Sequence, residues 1–176
     1  NQSNNSANLV RGIVSDNVIL YLDARNVASY PGSGTDWYDL SGNGNDFRIY
    51  GATYNNSGYF DFDGSNDWAR TITSLDLSSF SNVTVQIYFK TENTNSTEAT
   101  YEYSTNWNNQ SGGFGLFAHS ASGPFVYNTH HTNQNGGFSG NSGRNYQFNI
   151  NSNWHLHTNI HSMVNDATGC LLYTSP

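Results

Sequence analysis

Apolar and polar residues alternate with a period of two in several segments of the chain. In the clearest segment, residues 83–90, one set is Val83, Val85, Ile87 and Phe89 and the other is Thr84, Gln86, Tyr88 and Lys90. Because successive side chains of a β-strand point to opposite faces, this pattern predicts a strand with one face in the core and the other in water.

The same alternation predicts further strands over 18–23, 59–63, 99–104, 113–118, 124–128, 145–150 and 153–161. In the last of these, the face expected in the core carries Trp154, Leu156, Thr158 and Ile160, and the face expected in solvent carries His155, His157, Asn159 and His161. Turn-forming residues separate the strands, at 31–34, 41–44, 63–66, 112–113 and 136–137. About eight to eleven short strands with such turns predict an all-β sandwich or jelly roll in a single domain.

The amino-acid composition argues against several classes of structure and function. Charged residues make up 11% of the 176 residues and aromatic residues 15%, and the net charge is −7. Low charge with many aromatic residues argues against disorder, and the scarcity of strong helix formers argues against long helices. Six Lys and Arg in total are too few to neutralise a run of phosphates, so we expect no nucleic-acid binding. No apolar run approaches 18 residues, so we expect no membrane insertion.

Several motifs occur in a specific order along the chain. They are Leu20-Tyr21-Leu22-Asp23-Ala24, the stretches 29–35 and 37–45, Phe60-Asp61-Phe62-Asp63-Gly64-Ser65-Asn66-Asp67-Trp68, the strand 83–90, and Asn153-Trp154-His155. Together they resemble the laminin-G-like jelly rolls of the concanavalin A-like lectin and glucanase group. The resemblance implies a two-sheet antiparallel jelly-roll sandwich over 9–169, preceded by a polar lead or linker at 1–8. One such fold hosts many functions, so it implies little about activity.

The C-terminal segment departs from that family. After the Trp-His strand the family supplies a further strand and then one or two closing strands, whereas this chain continues to Cys170 and ends at Pro176. Residues 170–176 resemble translated sequencing adapter, which implies a non-native tail and missing closing strands. The alternative is a genuine closing strand over 171–174. The single cysteine excludes an internal disulfide framework.

The motifs of hydrolases are absent from the sequence. Retaining glucanases of the related group carry Glu-x-Asp-x-Glu on one strand, where alternation aims all three carboxylates the same way. The nearest match here is Glu98 and Glu102, whose even spacing predicts one face but which lack the central Asp. The interpretation that we favour for this pair is an exposed strand or loop with two solvated carboxylates. We therefore expect a protein without enzymatic activity.

Two turns offer the hard oxygen ligands that calcium prefers. One is the run 39–46, with oxygen-bearing residues at alternate positions and Gly42 and Gly44 allowing tight curvature. The other is the turn 63–67. The candidate ligands are Asp39, Asn43, Asp46, Asp63 and Asp67. The resemblance raises the expectation of calcium, since many relatives hold one. The alternative is a pair of turns stabilised by Asx hydrogen bonds without any ion.

Histidines and aromatic residues supply two further candidate sites. The histidines form two clusters, the pair His130-His131 and the set His155, His157 and His161. On a strand, His155 and His157 share a face and could chelate zinc or copper. The alternative is a solvated strand face, which explains all three histidines of the second cluster. Exposed aromatic rings beside amides suit a sugar, whose C–H face stacks and whose hydroxyls meet polar groups. The candidate sugar-binding residues are Tyr101, Tyr103, Trp107 and Asn109, and ordinary core packing is the alternative for each.

These observations predict a non-catalytic binding module that recognises a glycan or surface polysaccharide. The expected location is extracellular, on a cell surface, virion or tail fibre. The alternative function is a structural decoration or adhesion domain that packs against neighbouring subunits without binding sugar. An exposed apolar patch would favour this alternative, and exposed aromatic rings among polar groups would favour carbohydrate binding.

Overall fold

The computed structural model of the chain describes residues 17–77, 79–90, 98–103, 114–119, 125–130, 147–149 and 153–162. These residues form eleven β-strands and no helix, so this part of the chain is all-β, as the alternation predicts. No helix long and apolar enough to cross a membrane occurs in these ranges. Outside the described residues lie 1–8, Trp107, Asn109, His131 and 170–176.

The chain divides into two compact units, residues 1–75 and 76–176. The strands of the first unit are β1 (Asp36–Trp37), β2 (Phe47–Tyr50), β3 (Thr53–Asn55), β4 (Tyr59–Asp61) and β5 (Trp68–Thr71). β1, β2 and β5 form an antiparallel three-stranded sheet with β2 in the middle, and β3 and β4 form a hairpin. The sequence pattern had predicted only the β4 segment among these strands.

Aromatic side chains form the core of the first unit. The buried ring of Tyr30 lies 4.7 Å from that of Phe60 and 4.8 Å from that of Tyr54, centroid to centroid. Trp37 contacts Phe60 at 4.7 Å. The tyrosine hydroxyls donate hydrogen bonds to backbone carbonyls, those of Gly34 and Ala24, which satisfies their polar ends. The core of this unit therefore joins the hairpin to the segment before β1.

The segment 18–23, predicted to be a strand, is not one. Its backbone groups are hydrogen-bonded to the loop 39–45 instead of to a neighbouring strand. Tyr21 N–H donates to the Asp39 carboxylate at 2.9 Å, and the Ile19 carbonyl accepts from the Asn45 side-chain amide at 2.8 Å. Side chains can replace a strand ladder as partners of backbone groups, and here they do.

The second unit contains the remaining six strands. They are β6 (Asn82–Phe89), β7 (Glu98–Tyr103), β8 (Phe114–His119), β9 (Phe125–His130), β10 (Gln147–Asn149) and β11 (His155–Ser162). β7 to β10 form an antiparallel sheet in the order β10-β9-β8-β7, and β6 pairs with β11 along eight residues. The predicted strands from 83 onward are confirmed, each within a few residues.

The two faces of β11 are the reverse of the prediction. Leu156 is 43% exposed and Trp154 38%, whereas His157 is 5% and Asn159 4% exposed. The cause is the pairing register, which sets His157 opposite Ile87. Because direct cross-strand partners share a face, the polar residues of β11 lie on the inward, apolar face of β6. The expectation that Trp154 is a core residue is therefore wrong.

Two substitutions test this orientation. Replacing Asn159 with Ala removes the side-chain amide that donates to the Tyr101 hydroxyl at 2.9 Å, and we expect a loss of about 1–3 kcal/mol in the free energy of unfolding. Replacing Leu156 with Asn changes an exposed position and is expected to stay within about 0.5 kcal/mol of the parent. Urea denaturation measures both free energies of unfolding. A larger loss for Leu156→Asn than for Asn159→Ala would instead support the orientation of β11 that the sequence predicts.

Candidate functional site

The outer face of the β1-β2-β5 sheet brings aromatic rings and charged groups together. Register places Tyr50 opposite Trp68, Arg48 opposite Arg70, and Asp36 opposite Arg48. Alternate residues of one strand and direct partners on the next share a face, so these five side chains lie on one side of the sheet. The neighbouring residue Ile49 points to the other side and is buried.

Tyr50 and Trp68 form a stacked pair on this face. Their ring centroids lie 3.7 Å apart and their planes differ by 16°. Trp68 is 40% exposed, so part of its surface is in contact with water. Stacking on Tyr50 restricts the Trp68 ring before any ligand arrives, which lowers the entropy lost on binding.

The two arginines of the face differ in their partners. Arg48 Nε donates to Asp36 Oδ1 at 2.9 Å, and this hydrogen bond and the charge of Asp36 raise the pKa of the guanidinium above its usual value. The Arg70 Cζ lies 4.9 Å from the ring centroid of Trp68 and 5.7 Å from that of Tyr50. These distances place the guanidinium beside the stacked pair. The face therefore combines a ring platform with a guanidinium that lies against it.

Sequence reasoning did not identify this face as a site. The available signal was the alternation of Arg48 with Tyr50 and of Trp68 with Arg70 in two four-residue segments. Each segment is too short for its partner strand to be recognised from the pattern. Without the register, nothing in the sequence indicates that the two pairs meet.

The predicted sugar-binding residues lie in the second unit. Tyr101 belongs to β7, and its hydroxyl accepts the hydrogen bond from Asn159. Burial raises the pKa of Tyr101, although that hydrogen bond acts in the opposite direction. Tyr103 ends β7 and pairs with Phe114 along the backbone. The hydroxyl of Tyr101 is thus hydrogen-bonded to Asn159, and the sugar-binding assignment of this set stays a prediction.

The loop 39–46 is organised around the carboxylate of Asp39. This group accepts hydrogen bonds from the backbone N–H of Tyr21 and Ser41 at Oδ1, and from the Ser41 hydroxyl and Asn45 N–H at Oδ2. Partial burial alone would raise the pKa of Asp39, but these hydrogen bonds lower it below the usual value. Gly42 and Gly44 adopt positive φ angles of 88° and 73°, which gives the curvature predicted for them.

The other candidate calcium ligands also form hydrogen bonds within their turns. Asp46 Oδ1 accepts from Asp39 N–H at 2.8 Å, and the Asn43 amide donates to the carbonyls of Val18 and Ile19. Asp67 Oδ2 accepts from the N–H of Asp63, and Asp63 Oδ1 accepts from Ser65 N–H, as in an Asx turn. In the described part of the chain, no three His, Cys, Asp or Glu residues form a group able to hold a metal ion. Hydrogen bonds thus account for both turns, and calcium stays a prediction.

Replacing Asp39 with Asn tests what orders this loop. The substitution removes the negative charge and half of the acceptor capacity, so we expect a loss of about 1–3 kcal/mol in the free energy of unfolding. Asp61→Asn, at an exposed position of the same unit, is the matched control and should change it by less than about 0.5 kcal/mol. If hydrogen bonds alone order the loop, a chelator leaves the melting temperature of the parent unchanged. A melting temperature that falls with chelator and recovers with calcium would instead support an ion at these turns.

The histidines of β11 differ in environment. His157 is buried on the inward face, where the Phe89 ring lies edge-on at 6.3 Å. Burial, with a smaller effect from the charge of His155, lowers the pKa of His157 to about 4. A buried imidazole of this kind favours its neutral form. In the described ranges, these histidines do not belong to any group of three His, Cys, Asp or Glu residues that could hold a metal ion. Chelation of zinc or copper by His155 and His157 stays a hypothesis.

His157 makes stability depend on pH. Its pKa is about 4 in the folded protein against 6.5 when unperturbed, so protons bind preferentially to the unfolded chain. The contribution of His157 to the free energy of unfolding is therefore fully present above about pH 6.5. As the pH falls from there towards 4, this contribution is lost, and the free energy of unfolding decreases by at most about 1.4 kcal/mol per pH unit.

Urea denaturation of the parent and of His157→Gln between pH 4.5 and 7.5 checks this prediction. We expect the free energy of unfolding to fall less steeply with acid in His157→Gln than in the parent. His155→Gln should retain most of the parent's slope, because burial is the larger cause of the shift. Equal slopes in the parent and His157→Gln would show that His157 does not titrate as described.

The pairing of β7 with β8 is irregular between Glu98 and Glu102. Glu98 pairs with Ala118 and Glu102 with Gly115, and the register shifts between Ala99 and Tyr101. Such a bulge adds one residue to a strand and breaks the simple alternation. Even spacing along the sequence therefore does not by itself establish a shared face for Glu98 and Glu102, and that expectation stays a prediction.

No protein-family model, curated protein or solved structure matches the chain. Because folds of this class serve many purposes, function has to be argued from individual sites. Among the described residues, the outer face of the β1-β2-β5 sheet offers the most specific combination of groups.

Proposed function

We propose that the chain is a non-catalytic carbohydrate-binding module with a laminin-G-like jelly-roll fold. Its ligand is a glycan or surface polysaccharide, met at a cell surface, virion or tail fibre. The antiparallel all-β architecture and the order of motifs from residue 20 onward support the fold. The outer face of the β1-β2-β5 sheet is the proposed binding surface.

The observation that carries this proposal is the exposed Trp68 ring stacked on Tyr50. A flat, rigid aromatic surface packs against the C–H face of a pyranose ring, and nearby donors meet the sugar hydroxyls. Arg48 and Arg70 supply such donors on the same face. Preorganisation of the rings allows useful affinity from a small contact area.

The chemistry of the face favours binding over hydrolysis. Glycoside hydrolysis by the common mechanism needs two carboxyl groups on either side of the scissile bond. The five residues of the face include one carboxylate, Asp36, which forms an ion pair with Arg48. The second carboxyl group that this mechanism needs is therefore not among these five residues.

Trp68→Ala and Trp154→Ala form a matched pair for testing this proposal on a glycan array. Both tryptophans are similarly exposed and stack on a tyrosine, Trp154 on Tyr88 at 5.1 Å. We expect Trp68→Ala to abolish glycan binding and Trp154→Ala to retain it. Binding should persist in chelator, because no group of three His, Cys, Asp or Glu residues able to hold a metal ion occurs in the described part of the chain. Loss of binding in Trp154→Ala alone would place the sugar site on the second unit and contradict the proposal.

A second candidate function rests on the outer face of β6 and β11. Tyr88, Leu156 and the adjoining Trp154 are all exposed there, Tyr88 by 54%. Apolar groups exposed side by side on a sheet are typical of a protein–protein contact. This observation favours a structural decoration or adhesion domain that packs against neighbouring subunits. The same variants distinguish the two candidate functions. The structural role would be favoured if the folded parent protein bound no glycan and self-associated in sedimentation experiments, and if Trp154→Ala abolished that self-association.

A further inference from the structure

Arg70 differs from Arg48 in that no ion pair joins it to a carboxylate among the residues that the structure describes. Arg48 forms an ion pair with Asp36 at 2.9 Å. Arg70 is exposed and lies beside the aromatic pair. A guanidinium against a ring uses its π-surface or its edge for that contact and keeps in-plane N–H donors for another partner.

The position of Arg70 leaves the outer surface of Trp68 open to a ligand. The centroid separations are 3.7 Å from Tyr50 to Trp68, 4.9 Å from Trp68 to Arg70 and 5.7 Å from Tyr50 to Arg70. At the Trp68 centroid, the directions to the Tyr50 centroid and to the Arg70 Cζ are therefore nearly perpendicular. The guanidinium therefore lies at the side of the stack and does not cover the Trp68 surface that faces away from Tyr50.

β5 is the outermost strand of the three-stranded sheet, so no further strand of that sheet lies beyond Trp68. A pyranose ring placed on the open surface of Trp68 would have its substituents at the ring edge. Some of those substituents would then reach the N–H donors of Arg70. Guanidinium and carboxylate have matching planar geometry and form two parallel hydrogen bonds.

We infer that this face binds a polysaccharide that carries a carboxylate on its sugar ring, as uronic acids do. This inference rests on the proposed carbohydrate-binding function and specifies its substrate class. The sugar ring packs on Trp68, and its carboxylate pairs with Arg70. Arg48, already paired with Asp36, is left to donate to hydroxyl groups.

The charge of the whole chain favours a carboxylated ligand over a densely sulfated one. Thirteen acidic residues outnumber six Lys and Arg, so the net charge of −7 repels a dense polyanion at long range. One unneutralised guanidinium beside one ring matches a single charge per sugar unit. Short-range pairing of this kind persists when salt screens the long-range repulsion.

Isothermal titration calorimetry with defined oligosaccharides tests this inference. The probes are short oligomers of galacturonic acid and of mannuronic acid, each beside its carboxyl-reduced, neutral form. We expect the parent protein to bind at least one acidic oligomer about ten- to hundredfold more tightly than its neutral form, the range for losing a charge-assisted pair of hydrogen bonds. Arg70→Gln should lower the affinity for the acidic oligomer by a similar factor and leave the affinity for the neutral form unchanged.

Arg25→Gln is the control, because Arg25 is an exposed arginine of the same unit that lies against Gly58, between β3 and β4. It should leave both affinities unchanged, and circular dichroism confirms that each variant is folded. If the parent protein bound acidic and neutral oligomers with equal affinity, and Trp68→Ala bound neither, the carboxylate inference would be overturned and the proposed carbohydrate binding would stand. Tighter binding of a sulfated oligomer would overturn it as well. No binding of any oligomer, with no signal on the glycan array, would overturn both the inference and the proposed function.

Discussion

Antiparallel register decides which side chains meet on the surface of this protein. In the first unit, pairing of Tyr50 with Trp68 across β2 and β5 creates the stacked platform, and pairing of Arg48 with Arg70 places two cations beside it. In the second unit, eight consecutive pairs between β6 and β11 bring Leu156 beside Tyr88. Because side chains alternate with a period of two, a slip of one residue would turn each of these groups to the opposite face.

The carboxylate of Asp39 has a comparable role for the irregular part of the first unit. The segment before β1 has the alternation of a strand, yet four donors around Asp39 and the amides of the following loop connect it to 39–45. The Ser41 hydroxyl, which has one proton, lies closer to Asp39 than to the Ile19 carbonyl, at 2.6 Å against 3.0 Å. A chain rich in short polar side chains can satisfy backbone groups in this way, where a more apolar chain would need a sheet.

The two units expose aromatic pairs in different chemical settings. The Tyr50–Trp68 pair lies beside guanidinium groups, and the Tyr88–Trp154 pair lies beside Leu156. Polar donors next to a ring suit a ligand with many hydroxyls, whereas an aliphatic neighbour suits another protein. This difference is the reason for assigning carbohydrate binding to the first face and for keeping a structural contact as the alternative at the second.

The sequence by itself determined that the described part of the chain is all-β and where most strands of the second unit lie. Period-two alternation and turn residues are local properties, so they can be read along the chain. Only the tertiary structure decided which strands pair and in what register. Trp154 was expected in the core and is exposed, while His157 and Asn159 are buried opposite the apolar face of β6. The candidate face on Trp68 could not be foreseen for the same reason, because it exists only where two short strands, distant in sequence, lie side by side.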